Sequence, residues 1–329
     1  MFEDKIILVT GATGSWGHEL VRQLLLFKPK EIRLFSRNEF AQVNMKRLFQ
    51  NHSKLKFIIG DVRDYSAILD ACENVDYVFH LAALKHVPIC EEQPLEALKT
   101  NVVGTENLIR ASIIQGVKKV IDVSSDKAVD PINFYGMTKA MGEKLIIHAN
   151  SSSNNTRFVC IRGGNVLGTN GSIVPYFKTL IKEGKDIPIT SIEMTRFFLT
   201  INDAIKLLLT AAIHSIGGEI FVMKMRTCKI IDLAQVLVEE LANQSISFVD
   251  IGIRPGEKLH EILISENESR NSYEYNDDYY VILPEQAPQT LQKQYDTLSK
   301  IPLKKYESNV DFMNNDEIKK MLVKGGFLN

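Results

Sequence analysis

Five residues near the middle of the chain bring together a hydroxyl, a carboxyl, two amines and a phenol: Ser125, Asp126, Lys127, Tyr135 and Lys139. Tyr135 and Lys139 are four positions apart, so a helix would place them on one face, with the ammonium near the phenol. A phenol has a pKa of about 10 and is a poor base at neutral pH, but a nearby positive charge lowers that pKa. The pattern predicts a tyrosine that takes a proton from an alcohol, although the same spacing is common on amphipathic helices without a catalytic role.

Short apolar segments with strand character alternate with helical patterns in the first half of the chain. They lie at residues 6–10, 32–36, 57–60, 77–82 and 120–124. Near-continuous apolar strands are typical of a parallel sheet that crossover helices cover on both faces, so we predict a doubly wound α/β fold. We expect residues 1–162, with returning segments near 196–222, to bind a nucleotide cofactor. Residues 163–329 would mainly form a substrate-binding lobe and the C-terminal region, with an acidic, mobile surface excursion at 266–278.

The composition indicates a globular protein without a charge preference for its partner. The chain has 329 residues, 45% of them hydrophobic, and a formal net charge of -1, which gives no general attraction to nucleic acid or to an acidic membrane. No apolar run approaches the ~18 residues of a membrane span, and the first strand begins too early for a signal peptide, so we expect a cytoplasmic protein. The four cysteines suggest buried thiols and no metal site, because they show neither CxxC spacing nor pairing with histidines. They are Cys72, Cys90, Cys160 and Cys228.

A glycine-rich turn directly follows the first predicted strand and opens a helical pattern. Strand, tight turn and helix N-terminus together form a phosphate-binding corner, because free amides and the helix dipole both favour an anion. A plain strand-to-helix turn is the alternative, but it leaves the glycine spacing unexplained. We predict that a dinucleotide binds here, through Gly11, Thr13, Gly14, Ser15, Trp16 and Gly17.

The end of the second predicted strand indicates which dinucleotide binds. NAD-binding proteins usually carry Asp or Glu at this place to hold the ribose diol, whereas this chain has Ser36 and Arg37. A hydroxyl and a guanidinium suit the 2′-phosphate of NADP, so we predict NADP rather than NAD. Arg37 as a solvated surface residue is the alternative. The residues predicted to flank the adenine or to line the cofactor cleft are Asp61, Val62, Ala82 and Ala83.

Together, the glycine corner, the Asp61-Val62 pair and the Tyr-x-x-x-Lys pattern resemble the extended short-chain dehydrogenase/reductases. Longer segments narrow this resemblance to the UDP-N-acetylglucosamine 4,6-dehydratases, most closely the short, soluble, inverting type. The similarity spans roughly residues 1–265. The segments are Ala-Ala-Leu-Lys-His-Val-Pro (82–88), Ser-Asp-Lys-Ala (125–128), Pro-Ile-Asn (131–133), Met-Thr-Arg-Phe-Phe (194–198) and Arg-Pro-Gly-Glu-Lys-Leu-His-Glu (254–261).

The resemblance implies a reaction without net oxidation, in the biosynthesis of surface glycans or modified sugars. Tyr135, supported by Lys139, would remove the proton of the sugar 4-hydroxyl while a hydride leaves carbon 4 for NADP. The ketone would acidify the hydrogen on carbon 5. Lys127, if neutral, would remove that hydrogen as a proton, while Asp126, if protonated, gives a proton to the departing 6-hydroxyl. The hydride would return to carbon 6, and Ser125 would hydrogen-bond the reacting oxygen. An exposed ion pair is the alternative for Lys127.

The resemblance also implies contacts to the cofactor and to a UDP-sugar. Lys85 and Asn101 join the cofactor site, and Lys85 and His86 follow the fourth strand toward the sugar. An arginine suits a diphosphate because its guanidinium binds two oxygens at once. The alternatives are a histidine that caps or packs locally and arginines that form structural salt bridges. The implied contacts to the sugar nucleotide are Lys85, His86, Asn165, Arg196, Arg254 and Glu257.

Some positions depart from the family pattern and leave alternatives open. Ser125 replaces a usual Thr and keeps the hydroxyl, whereas Gly163 and Phe198 replace a frequent Tyr and a frequent Trp near the expected sugar pocket. The configuration at carbon 5 and the release of a 5,6-unsaturated sugar nucleotide therefore stay open. A 4-epimerase or ketoreductase explains the Tyr-Lys pair but leaves the Asp-Lys pair without a task. A non-catalytic NADP-binding protein is the third hypothesis.

Two helical patterns carry more apolar residues than packing on a sheet requires. One runs from residue 133 to about 148 and the other through 101–114. Such helices often form a two-fold, four-helix interface in this fold, so we expect a homodimer or a larger homo-oligomer. Packing on the chain's own sheet accounts for part of the same surface, which includes Met141, Leu145 and Ile146.

Overall fold

The strands of the computed structural model, which describes residues 1–169 and 171–328, alternate with helices as the sequence predicts. In chain order the strands are β1 (Ile6–Thr10), β2 (Glu31–Ser36), β3 (Leu55–Ile59), β4 (Tyr77–His80), β5 (Lys119–Ser125), β6 (Arg157–Gly163), β7 (Asn165–Val166), β8 (Ile187–Ile189), β9 (Thr195–Leu199), β10 (Ile220–Met223), β11 (Thr227–Lys229), β12 (Phe248–Asp250), β13 (Ile262–Ile264), β14 (Ser272–Glu274), β15 (Tyr279–Ile282) and β16 (Tyr306–Glu307).

The helices lie mainly between the strands of the first half and around the smaller sheets of the second. In chain order they are α1 (Ser15–Leu26), α2 (Glu39–Leu48), α3 (Tyr65–Ala71), α4 (Val87–Glu92), α5 (Pro94–Leu98), α6 (Gly104–Ile114), α7 (Phe134–Ser152), α8 (Ile173–Lys182), α9 (Ile201–His214), α10 (Ile230–Leu241), α11 (Glu266–Ser269), α12 (Gln289–Tyr295) and α13 (Asn315–Lys324). A π-helical turn, Lys99–Val103, leads into α6, and a 3-10 turn, Asp126–Ala128, follows β5.

The large sheet has the strand order β14-β15-β10-β6-β5-β4-β1-β2-β3. Strands β1 to β6 and β10 pair in parallel, while β15 and β14 add antiparallel strands at one edge. This topology confirms the doubly wound α/β fold. Ligands of such sheets bind beyond the carboxyl ends of the strands where the strand order reverses, which here is the crevice between β1 and β4.

Two apolar layers cover the two faces of this sheet. Leu8 and Val120 belong to one layer, and the residues that follow them, Val9 and Ile121, belong to the other. Successive side chains of a strand point to opposite faces, so each strand feeds both layers. Burial on both faces explains why these strands are nearly continuous apolar runs in the sequence.

Smaller sheets follow β6, in the orders β11-β9-β7, β12-β8 and β13-β16. Helices α8, α10 and α13 pack with them around a separate apolar cluster that includes Phe177, Leu233 and Leu322. The second half therefore has a core of its own beside the large sheet.

The acidic segment at 266–278 contradicts the prediction of a mobile surface excursion. It contains α11 and β14, and β14 is the edge strand of the large sheet. Glu268 lies 2.6 Å from the guanidinium of Arg162, which is buried and also pairs with Glu143. The acidic composition of this segment is misleading because one of its acidic residues, Glu268, neutralises the buried Arg162.

The cysteines have the buried positions that the sequence predicts. All four cysteines are buried and free. Burial raises the pKa of the Cys160 thiol well above its ordinary value, so that group stays protonated. Within residues 1–169 and 171–328, the structure contains no helix with both the length and the apolar character that crossing a membrane would need.

Candidate active site

A cleft with a volume of about 1180 Å³ lies at the carboxyl ends of β1, β4 and β5. It runs from the glycine-rich turn after β1 to the segment that contains Arg254. All the site residues predicted from the sequence line it except Gly17 and Asn101. The fold thus brings together groups that are far apart along the chain.

The turn after β1 has the geometry of a phosphate-binding corner. Gly11 has a φ of 65°, and a Cβ there would lie 2.7 Å from the backbone nitrogen of Ala82, so the turn requires glycine. Gly14 is the N-cap of α1 and has no side chain to occupy the first-turn amides. A helix N-terminus in a cleft stabilises an anion. The residues present therefore fit the diphosphate of a dinucleotide.

The end of β2 places Arg37 at the cleft beside a carboxylate. Its Nη1 lies 3.6 Å from Oδ2 of Asp61, and Arg63 donates to the same oxygen at 2.6 Å. Burial would raise the pKa of Asp61, but the hydrogen bonds from Arg63 and the charge of Arg37 lower it overall. The Ser36 hydroxyl is buried and accepts a hydrogen bond from Gln42. Arg37, whose side chain is 51% exposed, is therefore the better placed of the two for an external phosphate.

Two residues predicted to contact the cofactor lie outside the lining of the cleft. Asn101 is buried; its side chain accepts from the amide of Leu84 and donates to the Leu84 carbonyl and to the hydroxyl of Thr138. These bonds use its polar atoms to fix the segment after β4 onto α7. Gly17 packs against Ala12, where a Cβ would lie 1.9 Å from the carbonyl oxygen. Both residues shape the site from outside the cleft.

Helix α7 places Tyr135 and Lys139 at the cleft. Asn133 caps this helix, its side-chain oxygen accepting from the amide of Gly136 at 2.7 Å. A Cβ at Gly136 would lie 2.2 Å from the carbonyl oxygen of Lys127, so glycine lets α7 pack closely on the turn after β5. This close packing unites the two parts of the sequence motif in one site.

The phenol of Tyr135 differs from the expectation of a lowered pKa. Burial raises its pKa, and the charges of Lys139 and Lys127 with a hydrogen bond to Ser125 offset only part of that effect. Burial alone would lower the pKa of Lys139. The carboxylate of Asp122, whose Oδ2 lies 3.7 Å from Nζ, and the phenol raise it overall. The sequence revealed the ammonium but not how deeply both groups are buried.

The second amine, that of Lys127, lies between two buried carboxylates. Its Nζ is 3.1 Å from Oδ1 of Asp126 and 3.3 Å from Oε1 of Glu261, and it donates to Asn165 at 3.4 Å. Ser125 donates its hydroxyl to the same oxygen of Asp126 at 2.8 Å. The other oxygens of Asp126 and Glu261 are buried without a hydrogen-bond partner in the described part of the chain. One proton transfer would turn this ion pair into a neutral acid and a neutral amine.

The neutral form of Lys127, which is the condition for its role as a base, is not the form that its surroundings favour. Burial alone would lower the pKa of Lys127, but the carboxylates of Asp126 and Glu261 outweigh burial and raise it overall. Two anions within 3.3 Å keep the proton on the amine. A neutral amine can therefore arise here when the proton passes to one of these partners.

The side chain of Arg196 is bound by other protein groups, which goes beyond the simple substrate contact predicted for it. It is buried, its Nε lies 3.5 Å from Oε1 of Glu261, and its Nη1 donates to the carbonyls of Thr195 and Leu259. The structural salt bridge weighed for the arginines is thus present at this position. Through Glu261 it is linked to Lys127.

The other predicted substrate contacts are closer to solvent. Glu257 accepts a hydrogen bond from the Arg254 amide at 3.4 Å, and the Arg254 side chain is exposed at the cleft. Lys85 donates to the hydroxyl of Thr169 at 3.5 Å, and His86 precedes α4 at the same rim. These cationic and polar groups leave room for an anionic ligand between them.

Glu261 lines the cleft, although the sequence patterns assign it no role. It ends the 254–261 segment, but nothing in its spacing indicates a contact with Lys127. The contact forms because the start of β13 packs on the turn after β5. An acidic residue that closes a segment rich in cations was the available signal.

Several known proteins match most of this chain. Residues 7–283 match the family described as polysaccharide biosynthesis protein. The inverting UDP-N-acetylglucosamine 4,6-dehydratase of Campylobacter jejuni is 46% identical over 288 residues, which cover 86% of this chain and 84% of the relative. The UDP-glucose 4-epimerase of Rickettsia typhi is 47% identical over 275 residues, 82% of this chain and 80% of the relative.

Two further similarities extend over nearly the whole chain. An uncharacterized membrane protein of Methanocaldococcus jannaschii is 44% identical over 335 residues, which cover 99% of this chain and 98% of the relative. Among solved structures, Pen from Bacillus thuringiensis aligns with a TM-score of 0.91 and 38% identity, covering 98% of this chain and 99% of that one. The similarity therefore includes the second half as well as the large sheet.

Proposed function

The chain belongs to this polysaccharide biosynthesis family of extended short-chain dehydrogenase/reductases, and we propose that it is an NADP-dependent UDP-N-acetylglucosamine 4,6-dehydratase that inverts carbon 5. One observation carries the proposal: Asp126 and Lys127, 3.1 Å apart, line the same cleft as Tyr135 and Lys139. A tyrosine and a lysine suffice to oxidise an alcohol, whereas the removal of water also needs an acid and a base. The dehydratase relative from Campylobacter jejuni supports this reading.

The cofactor half of the proposal rests on the turn after β1 and the end of β2. Gly11, Gly14 and the first turn of α1 would hold the diphosphate, and Arg37 would hold the 2′-phosphate. When bound, NADP would supply a positive nicotinamide ring as the acceptor for a hydride from carbon 4 of the sugar and, once reduced, as its donor to carbon 6. Arg63 supports this assignment because it holds Asp61, which otherwise competes with a phosphate for Arg37.

Tyr135 is proposed to remove the proton of the sugar 4-hydroxyl. Its raised pKa means that the phenol needs positive charge nearby before it can act as a base, and Lys139 is the adjacent ammonium. Ser125 hydrogen-bonds both the phenol and the carboxyl of Asp126. It is therefore proposed to hold the reacting oxygen and to connect the two proton-transfer groups.

Lys127 and Asp126 are proposed to carry out the elimination. A ketone at carbon 4 acidifies the hydrogen at carbon 5, which Lys127 takes as a proton, while Asp126 protonates the 6-oxygen and water leaves. The required neutral forms arise when the resting pair exchanges one proton over 3.1 Å. Because carbon 5 is inverted, a proton then returns to it on the face opposite to the one that Lys127 deprotonated. The proton that Tyr135 gains balances the one that carbon 5 receives, and Lys127 and Asp126 are left as the resting ion pair.

The sugar nucleotide is proposed to bind between the large sheet and the second half of the chain. Arg254 and Lys85 are cations at the cleft that suit a diphosphate. On this proposal, residues 1–162 with the returns near 196–222 bind the cofactor, and 163–329 mainly bind the substrate. Strands β14 and β15 are an exception, because they belong to the large sheet.

A 4-epimerase is the second candidate, favoured by the epimerase from Rickettsia typhi at 47% identity. An assay with UDP-N-acetylglucosamine, read by mass spectrometry and by NMR, separates the candidates. The dehydratase gives a product lighter by one water, whereas a 5,6-unsaturated ketone released before the hydride returns is lighter by two further hydrogens. An epimerase gives a product of unchanged mass, and a non-catalytic NADP-binding protein leaves the substrate unaltered while retaining the cofactor. Either of these two outcomes would refute the dehydratase assignment.

A second copy of the chain is proposed to cover an apolar face formed by α7 and the turn before α6. Met137 and Met141 on α7 are 45% and 50% exposed, and Val103 is 41% exposed. Ile146 of the same helix is fully buried against the chain's own sheet. The exposed residues are therefore available for contact with a second copy in a homodimer or larger homo-oligomer. Comparing the sedimentation of wild type with that of Met141→Lys would test this assembly.

A further inference from the structure

A row of polar side chains crosses the large sheet beneath α7. Thr10, His80, Asp122 and Cys160 are register partners on β1, β4, β5 and β6, so their side chains leave the same face of the sheet. All four are buried. Two residues earlier on each of these strands, the corresponding row is apolar and belongs to the core. The polar row takes no part in the proposed reaction steps.

Asp122 is the acidic member of this row. Its Oδ2 lies 3.7 Å from Nζ of Lys139 and 4.0 Å from Sγ of Cys160. Its Oδ1 is buried and has no hydrogen-bond partner among residues 1–169 and 171–328. A buried carboxylate is costly unless a positive charge compensates it, and Lys139 is the cation within reach.

The other titratable side chains next to Asp122 do not compensate it. The two ring nitrogens of His80 are hydrogen-bonded to the hydroxyls of Thr10 and Thr105. Burial lowers the pKa of His80 to about 4, and the Asp122 charge offsets only part of that, so the ring is neutral at pH 7. Cys160 stays a thiol because burial raises its pKa.

The remaining charges near Lys139 are already paired or belong to the reaction. Glu143, one turn further along α7, is bound to Arg162 on β6. Tyr135 is the group on which Lys139 is proposed to act. The cation of Lys139 therefore has Asp122 on the sheet side and the phenol on the cleft side.

We propose that Asp122 is a positioning residue that keeps Lys139 protonated and fixed beside Tyr135. Asp122 does not line the cleft, so it acts through Lys139 and not on the substrate. The inference rests on the proposed function for the task of the Tyr135–Lys139 pair. Its effect on the charge of Lys139 follows from the distance between the two side chains.

The pH dependence of turnover is the first test, with Asp122→Asn, which keeps the shape and removes the charge. Loss of a nearby anion lowers the pKa of both Lys139 and Tyr135. Both limbs of the profile of kcat/KM for UDP-N-acetylglucosamine should therefore move to lower pH, by about one unit. Asp278→Asn is the matched control, since Asp278 pairs with Lys206 on the surface, and its profile should not move. A uniform loss of rate with unmoved limbs would reduce Asp122 to a structural role and overturn the proposal.

A double-mutant cycle on stability is the second test and needs neither substrate nor cofactor. Asp122→Asn, Lys139→Met and the double variant are unfolded in urea at pH 7. Each single change leaves one buried charge unpaired, so the double variant should be more stable than additivity predicts, by about tenfold in the unfolding equilibrium constant. Additive losses would overturn the proposal. If wild type does not turn over the sugar nucleotide, the proposed function fails, while this cycle still decides the pairing.

Discussion

The two lysines of the cleft differ in what neutralises them. Lys139 has one carboxylate, that of Asp122, 3.7 Å away on the side of the sheet, and the phenol of Tyr135 on the other side. Lys127 has two carboxylates, at 3.1 and 3.3 Å. The ammonium of Lys139 is only partly compensated, so its charge still acts on the phenol. The ammonium of Lys127 is fully compensated and lies close to carboxylates that can take its proton. One lysine is suited to act as a fixed charge and the other as a proton carrier.

Burial alone does not account for this difference. The side chain of Lys139 is 5% exposed and that of Lys127 is 23% exposed, yet the carboxylates raise the pKa of both above the value that burial alone would give. The number and distance of the anions, more than the depth of the amine, therefore distinguish the lysine that is proposed to support oxidation from the lysine that is proposed to act in elimination.

Removing the phenol should break both sides, because elimination depends on the ketone that oxidation forms. Tyr135→Phe is expected to lower turnover of UDP-N-acetylglucosamine by roughly 10³-fold, since the variant lacks the proposed acceptor for the 4-hydroxyl proton. The rate of product formation at saturating substrate measures this. Tyr65→Phe, whose ring stacks with Arg110 away from the cleft, is the control. A Tyr135→Phe enzyme with a tenth of wild-type activity would contradict the assignment.

Removing the second amine should break the elimination side alone. Lys127→Ala is expected to lower formation of the dehydrated product by roughly 10²-fold, while reduction of bound NADP by the sugar persists at a slower rate. Absorbance of the reduced nicotinamide reports the first step, and mass spectrometry reports the second. Lys206→Ala, which removes a surface lysine paired with Asp278, is the control. Equal loss of both steps would remove the distinction between the two lysines.

Removing one of the two anions should make Lys127 resemble Lys139. Glu261→Gln takes away one of the charges that raise the pKa of Lys127, so that pKa falls. Lys127 and Asp126 then lose their shared proton at a lower pH. The alkaline limb of the turnover profile should therefore move down by about one pH unit. Glu266→Gln, an exposed change outside the cleft, should leave the profile in place. An unmoved limb in Glu261→Gln would show that Glu261 does not hold the proton on Lys127.

A change at the adenosine end of the cofactor site should not alter the difference between the two lysines. Arg37→Ala is expected to weaken NADP binding about tenfold and NAD binding little, because the guanidinium is proposed to hold the 2′-phosphate that NAD lacks. Fluorescence titration with each cofactor measures the ratio. At saturating cofactor, oxidation and elimination should keep their wild-type proportion. Equal weakening for both cofactors would argue for NAD.

The sequence was sufficient for the fold and for the membership of most of the cleft. Strand periodicity predicted β1 to β5, and the glycine turn predicted where the crevice lies. Long-range pairing was not predictable, since Glu261 and Asp122 reach the two lysines through contacts that no local spacing encodes. Burial was equally hidden. It reverses the expected direction of the Tyr135 pKa and turns the acidic segment at 266–278 into part of the sheet.

Incubation in deuterated water tests most directly the claim that one lysine supports oxidation and the other moves the proton. Wild type and Lys127→Ala are each mixed with UDP-N-acetylglucosamine, and the sugar is followed by NMR. We expect deuterium at carbon 5 of a dehydrated, inverted product with wild type, and oxidation at carbon 4 without exchange at carbon 5 with the variant. Exchange at carbon 5 at the wild-type rate in Lys127→Ala, or an unchanged sugar nucleotide with wild type, would contradict it.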